Sequence, residues 1–158
     1  MADTIPDRIE KKIVLRAPRS RVWRALTDAR EFSAWFRVEL RGQFEAGKEI
    51  SGPVTYPGYE SLTMTAWVER MEPERLFSFR WHPAAIDPKV DYSKESTTLV
   101  EFRLEDVPGG TLLTVTESGF RSLPAARRGF AHEANSGGWD EQLRNIERHV
   151  AQHPSPRT

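Results

Sequence analysis

IVLRAPRSRVWRALTDAREFSAWF (Ile13–Phe36) stands near one end of the chain. TLLTVTESGF (Thr111–Phe120), followed after a spacer by GWDEQLRNIERHV (Gly138–Val150), stands near the other. Together these stretches decide the fold. The first reads as a strand broken at Ala17-Pro18, then a helix. Pro18 suits a first helical turn, where a missing N–H costs nothing. Val22, Trp23 and Leu26 make a helical stripe, and Thr27-Asp28 ends it and caps a second short helix, Ala29–Trp35. The second region reads as a strand stopped at Gly119, a polar connection, and a long helix from about Phe130 to Gln152. Trp139, Leu143, Ile146 and Val150 give that helix one apolar stripe. Gly137-Gly138 predicts a kink or a close approach of the sheet.

Between the ends the pattern is strand and turn. Arg8–Arg16 has Ile9, Ile13 and Leu15 on one face, with Lys11 interrupting. Phe36–Leu40, Lys48–Tyr56 and Ser61–Met71 read as further strands, the last with Leu62, Met64, Ala66 and Val68 on one face and Trp67 on the other. Arg75–His82 alternates most clearly, with Phe77, Phe79 and Trp81 sharing a face. Pro83–Glu95 is a loop rich in proline and charge. Ser96–Leu104 and Thr111–Ser118 flank the hairpin signal Val107-Pro108-Gly109-Gly110. The expected fold class is α+β: a curved antiparallel sheet of about six or seven strands wrapped around a long C-terminal helix, with two short helices after the first strand. One domain over 8–152 is expected, with flexible termini at 1–7 and 153–158.

Composition narrows the function classes. The chain has 158 residues, 38% hydrophobic and 29% charged, enough for one real core. Its 23 basic and 23 acidic residues cancel. That gives no electrostatic reason to expect nucleic acid or a membrane surface as a partner. The absence of cysteine rules out disulfides, thiol catalysis and thiolate metal sites. No apolar run approaches membrane-spanning length, and no apolar signal core argues for export, so a cytoplasmic location is the default expectation.

Ala17-Pro18, Val22-Trp23 and Leu26-Thr27-Asp28, then Trp35, then Val100–Leu104 with Thr111–Phe120, then Gly138-Trp139 with Leu143 and Ile146 stand in an order and spacing that resemble the activator of heat-shock-protein-90 ATPase homologue family. That family lies within the START, polyketide-cyclase and birch-pollen-allergen-like superfamily, and the likeness is to its stand-alone bacterial members. The resemblance covers about Ile9 to Val150. It implies the helix-grip fold and a ligand-holding cavity between the sheet and the last helix. It implies no common reaction, since fold does not fix function.

Candidate site residues follow from facing. Glu117 shares a face with Leu113 and Val115, so it points inward. A carboxylate there needs partners or water. It reads either as an anchor or acid/base group, or as a carboxylate at the cavity mouth or paired with an arginine. Trp35, Met64, Phe79, Trp81, Val115, Phe130, Trp139 and Leu143 are the other candidate lining residues, against the plain alternative that most of these apolar side chains are core. His82 and His132 read as loop or surface histidines, with no metal-ligand spacing. Arg121, Arg127 and Arg128 read as a solvated connection. The expected function is a binding protein for a small hydrophobic molecule, with no cofactor and no metal. A cyclase- or dehydratase-type enzyme using Glu117, and a chaperone-interaction module, are the alternatives.

Overall fold

A computed structural model describes residues 6–153 apart from position 88. The expected flexibility of 1–5 and 154–158 lies outside the described residues. The chain runs β1 (Arg8–Leu15), α1 (Arg19–Thr27), α2 (Ala29–Phe36), β2 (Glu49–Pro53), β3 (Thr63–Glu72), β4 (Leu76–Trp81), β5 (Thr98–Val107), β6 (Gly110–Ser118), a short turn of helix at Phe120–Ser122, and α3 (Ala125–Gln152). The six strands form one sheet in the order β1-β6-β5-β4-β3-β2, every pair antiparallel. The sheet curves around α3, an α+β helix-grip arrangement. No described helix is long and apolar enough to cross a membrane.

The helical ends form for local reasons. Pro18 stands just before α1 and closes the first strand. Asp28 caps α2, its Oδ1 accepting from the N–H groups of Arg30 at 2.9 Å and Glu31 at 3.2 Å. Lys11, the interruption in β1, meets Asp140 of α3 at 3.2 Å, so its place on the inner face is an ion pair across the layers.

Beyond shifts of a few residues at strand ends, three features differ from the sequence reading. Phe36–Leu40 is not a strand: Phe36 ends α2, and Arg37 takes a left-handed conformation (φ 67°) that turns the chain. Val38 and Arg41 then make only isolated bridges, to Val54 and Ser51. Gly52 permits that approach, because a Cβ there would stand 1.9 Å from the Glu39 carbonyl oxygen. The last helix begins earlier, at Ala125 behind Pro124, and is about 42 Å long. Gly137 and Gly138 lie in its continuous run and neither touches the sheet.

The core is aromatic. Phe77 and Phe79 are fully buried and their centroids lie 5.8 Å apart. Phe79 meets Trp81 at 5.6 Å, Trp81 meets Trp139 at 5.9 Å, and Trp139 meets Phe102 at 5.7 Å. Trp139 of α3 thereby fills the concavity that the sheet presents. The space expected between the sheet and the last helix is occupied by these rings, and the larger opening lies at one end of the sheet.

A charge cluster ties the three helices together. Arg21 is 2% exposed, lies 2.9 Å from Glu31, and donates to the His153 carbonyl oxygen at 2.6 Å. Arg24 and His149 meet the same Glu31 carboxylate at 2.7 and 2.9 Å. Burial alone pushes the Glu31 carboxyl up. The His149 hydrogen bond and the Arg21 charge outweigh it and hold the group below its ordinary value of 4.5. A carboxyl depressed on folding stabilises the native state above its unfolded value, and that stability is lost as pH falls through the folded value. Glu31→Gln is therefore expected to lower the denaturation midpoint at neutral pH. The gap from wild type should close only below pH 4.5, in chemical denaturation followed by circular dichroism.

Candidate binding site

Glu117 points inward from β6 and has no solvent exposure. Its carboxylate is the meeting point of three strands and the last helix. Oε2 accepts from the Trp81 indole N–H at 2.8 Å and from the Thr98 hydroxyl at 2.6 Å. Oε1 accepts from the Trp139 indole N–H at 2.8 Å. The Asn135 amide spans both oxygens at 3.0 and 3.1 Å. Every partner donates, which suits an acceptor-only carboxylate. The expected arginine partner is absent from this set, and the group is sealed rather than placed at a mouth.

The arrangement follows from simple geometry. Asn135 and Trp139 are four apart on α3 and share a face. Trp81 ends β4 and Thr98 opens β5, where they are ladder partners. Glu117 pairs with Val100, two residues along β5 on the same face. Parity located Glu117 from sequence. Asn135 and Thr98 were missed, although the signal for Asn135 was present: a polar residue one turn before Trp139 on the apolar stripe.

Above this hub lies a cleft of about 810 Å³. Trp81 and Asn135 form part of its floor, so two donors to Glu117 also face the opening. A recess of about 100 Å³ shares Phe36, Trp81, Asn135, Gly138 and Gln142 with the cleft and reaches Trp139. Gly138 helps here, since a side chain at that position would project from α3 into open space. The chain has three tyrosines, and all of them, Tyr56, Tyr59 and Tyr92, line the cleft. Among the described residues the large exposed apolar side chains are Val14, Tyr59, Ile86, Val90 and Phe130, and three of these (Tyr59, Ile86, Val90) stand in the cleft wall. A set of apolar groups left wet around one concavity is a binding-site signature.

The loop wall is held by one side chain. Arg127 of α3 meets Glu95 at 2.9 Å, donates to the carbonyls of Pro83 at 2.9 Å and Ala84 at 3.1 Å, and stacks on Tyr92 at 4.6 Å. It is not a solvated connection but a clasp on both ends of the loop, because four acceptors converge where α3 begins. His82 stands in the same wall, its ring 5.5 Å from Trp67. Burial holds its imidazole below the ordinary 6.5. Glu95 pulls the other way, and the Arg127 charge adds to the lowering. Among the described residues no cluster of histidine and acidic side chains is arranged to hold a metal ion.

The candidate lining residues divide. Met64 and Trp81 line the cleft and Trp139 lines the recess. Glu117 lies directly behind them. Trp35 is core, its indole N–H donating to the Ala25 carbonyl at 2.8 Å. Phe79, Val115 and Leu143 are also core, sealed by the aromatic cluster. Phe130 is 52% exposed and outside the cleft. Its neighbour Ala131 is the buried one, and one residue along a helix turns a side chain about 100° away. Tyr56, Tyr59, Ile86, Val90 and Tyr92 were not anticipated, because they sit in turns and a loop without periodicity.

A curved antiparallel sheet gripping a C-terminal helix, with an apolar cleft at the sheet's end, defines a helix-grip protein. Residues 16–151 match the family model for Activator of Hsp90 ATPase homolog 1-like protein, and the chain belongs to that family. No curated protein matches it significantly. Among solved structures it is similar to protein MLL2253 from Mesorhizobium loti, at 24% identity and TM-score 0.72, covering 92% of this chain and 97% of that one. Protein NE0264 from Nitrosomonas europaea is 18% identical at TM-score 0.73, covering 93% and 96%. CalU16 from Micromonospora echinospora is 23% identical at TM-score 0.63, covering 94% and 81%. At these identities the likeness is one of fold.

Glu117→Gln tests the hub. Whichever way the new amide turns, one indole N–H faces a donor instead of an acceptor. The variant is expected to lose about 1–3 kcal/mol in chemical denaturation, the cost of one buried donor left unsatisfied.

Proposed function

We propose that this protein binds a small, largely apolar molecule in the cleft at the end of its sheet. The observation that carries this reading is the concentration of aromatic and wet apolar side chains in one concavity, with all three tyrosines among them. Tyrosine offers a rigid apolar ring and a polar tip, which suits a ligand with a few hydrogen-bonding groups on an apolar frame. The volume of about 810 Å³ falls in the range of small-molecule sites.

Glu117 serves this site from behind. Both its oxygens are occupied and it has no solvent exposure, so the arrangement weighs against an acid/base step on a ligand. It holds the ring of Trp81 in the floor and the ring of Trp139 in the recess, and so sets the shape that a ligand meets. A chaperone as partner rests on the family's name alone, and no feature of this surface adds to it.

Nile red, whose emission rises on entering an apolar site, is expected to bind the protein. Tyr59→Ala and Ile86→Ser should weaken that binding while leaving the denaturation midpoint nearly unchanged, since both residues stand at the surface, 42% and 43% exposed. Native mass spectrometry of protein purified from its own host is expected to carry a co-purified small molecule. A dye that binds with equal affinity to wild type and both variants would place the apolar site elsewhere.

A further inference from the structure

The sheet has a gap beside the cleft. The β3–β4 ladder begins only at Trp67↔Arg80, although β3 itself begins at Thr63. Continued register would set Thr65 opposite His82 and Thr63 opposite Ala84. The chain does not allow it. Pro83 has no N–H to give, Ala84 takes a left-handed φ of 50°, and the loop swings out to form the far wall.

The backbone of β3 is therefore half paired at this point. The Val68 N–H bonds to Lys48 and the Leu62 carbonyl accepts from Val54, so even-numbered residues face β2. By alternation the N–H and C=O groups of Thr63 and Thr65 face the gap. Among the described residues they have no backbone hydrogen bond there. Both residues line the cleft.

The cleft is also lined from both sides of the sheet plane. Met64 and Trp81 belong to the concave face, while Trp67 and His82 belong to the opposite one, and all four stand in the lining. A molecule lying flat on one face would use half of this. An extended chain continuing the sheet would use all of it, its alternate side chains falling to the two faces. From these observations we infer that the cleft binds a short extended peptide segment with apolar side chains, which adds a strand to the exposed edge of β3 at Thr63 and Thr65. Main-chain pairing supplies the hydrogen bonds, and the aromatic walls select the side chains. The charged groups in the lining are Glu49, Asp87 and Asp91 against Arg37, so a ligand with neutral ends fits better than a free carboxylate. This inference rests on the cleft being the binding site, and it specifies what binds.

The test uses N-acetyl-phenylalanyl-valine N-methylamide and the same compound methylated on all three amide nitrogens, so that whichever edge of the peptide faces β3 loses its donors. Titration is followed by tryptophan fluorescence and by the amide resonances of Thr63 and Thr65. The unmethylated peptide is expected to bind and to move both resonances, and the methylated one to bind roughly fivefold or more weakly, as at least one hydrogen bond is lost. Thr65→Pro removes the gap-facing donor and leaves the β2 pairing intact, as proline is tolerated on an unpaired edge. It should weaken the peptide similarly, while Thr65→Ser should not. If Thr65→Pro does not fold, the methylated pair decides alone. Equal binding of the two peptides, or unmoved Thr63 and Thr65 resonances, overturns strand addition. Nile red bound without any peptide binding overturns it too and leaves the cleft standing as an apolar site. Binding of neither overturns both readings.

Discussion

One buried carboxylate organises this molecule. Glu117 lies where the sheet and the last helix must meet, and taking an ionised carboxylate out of water costs several kcal/mol. Four side chains answer that cost: Trp81, Thr98, Asn135 and Trp139. A carboxylate buried here with any of these donors removed keeps its desolvation cost and loses part of what offsets it. The balance holds only when β4, β5, β6 and α3 are all in place. The interaction is therefore a test of correct assembly as much as a source of stability.

The same constraint shapes the candidate site. Two of the four donors present their other sides to the cleft, so the floor cannot move without disturbing the carboxylate. The far wall is different. The described residues among 84–93 carry no strand or helix, and Arg127 holds this loop at both ends through Glu95, Pro83, Ala84 and Tyr92. A rigid floor and a loop wall clasped at its base combine fixed shape with adaptable contact, a common division in binding proteins. The sheet's gap comes from the same place. Pro83 and Ala84 turn the chain out to make the wall, and the edge of β3 is left open as a consequence.

Much of this was legible in the chain. Period-two alternation in Arg75–His82 and Thr111–Ser118, and the 3.6-residue stripe of Trp139, Leu143, Ile146 and Val150, declared the layers and the inward direction of Glu117. Those patterns are readable because burial on one face imposes a period on sequence. Pro18 and Asp28 marked the starts of α1 and α2 for equally local reasons. The sequence therefore determined the α+β layers and most of the element order and of the residues facing the core, Phe36–Leu40 and Phe130 being the exceptions.

Tertiary structure alone decided which of those inward residues open onto the cleft and which are core. Phe79 has the same period-two signature as Trp81 in β4, and only the position of the loop after β4 leaves Trp81 open. It also decided the partners of Glu117, which come from elements up to 36 residues away and have no fixed spacing. The cleft's tyrosines sit in turns, where no period reports facing, and Arg127 reads as a surface residue until its four acceptors are brought together. The physical reason is the same in each case. Periodicity reports which side of an element is buried, but a cleft exists only where two separately placed elements fail to touch.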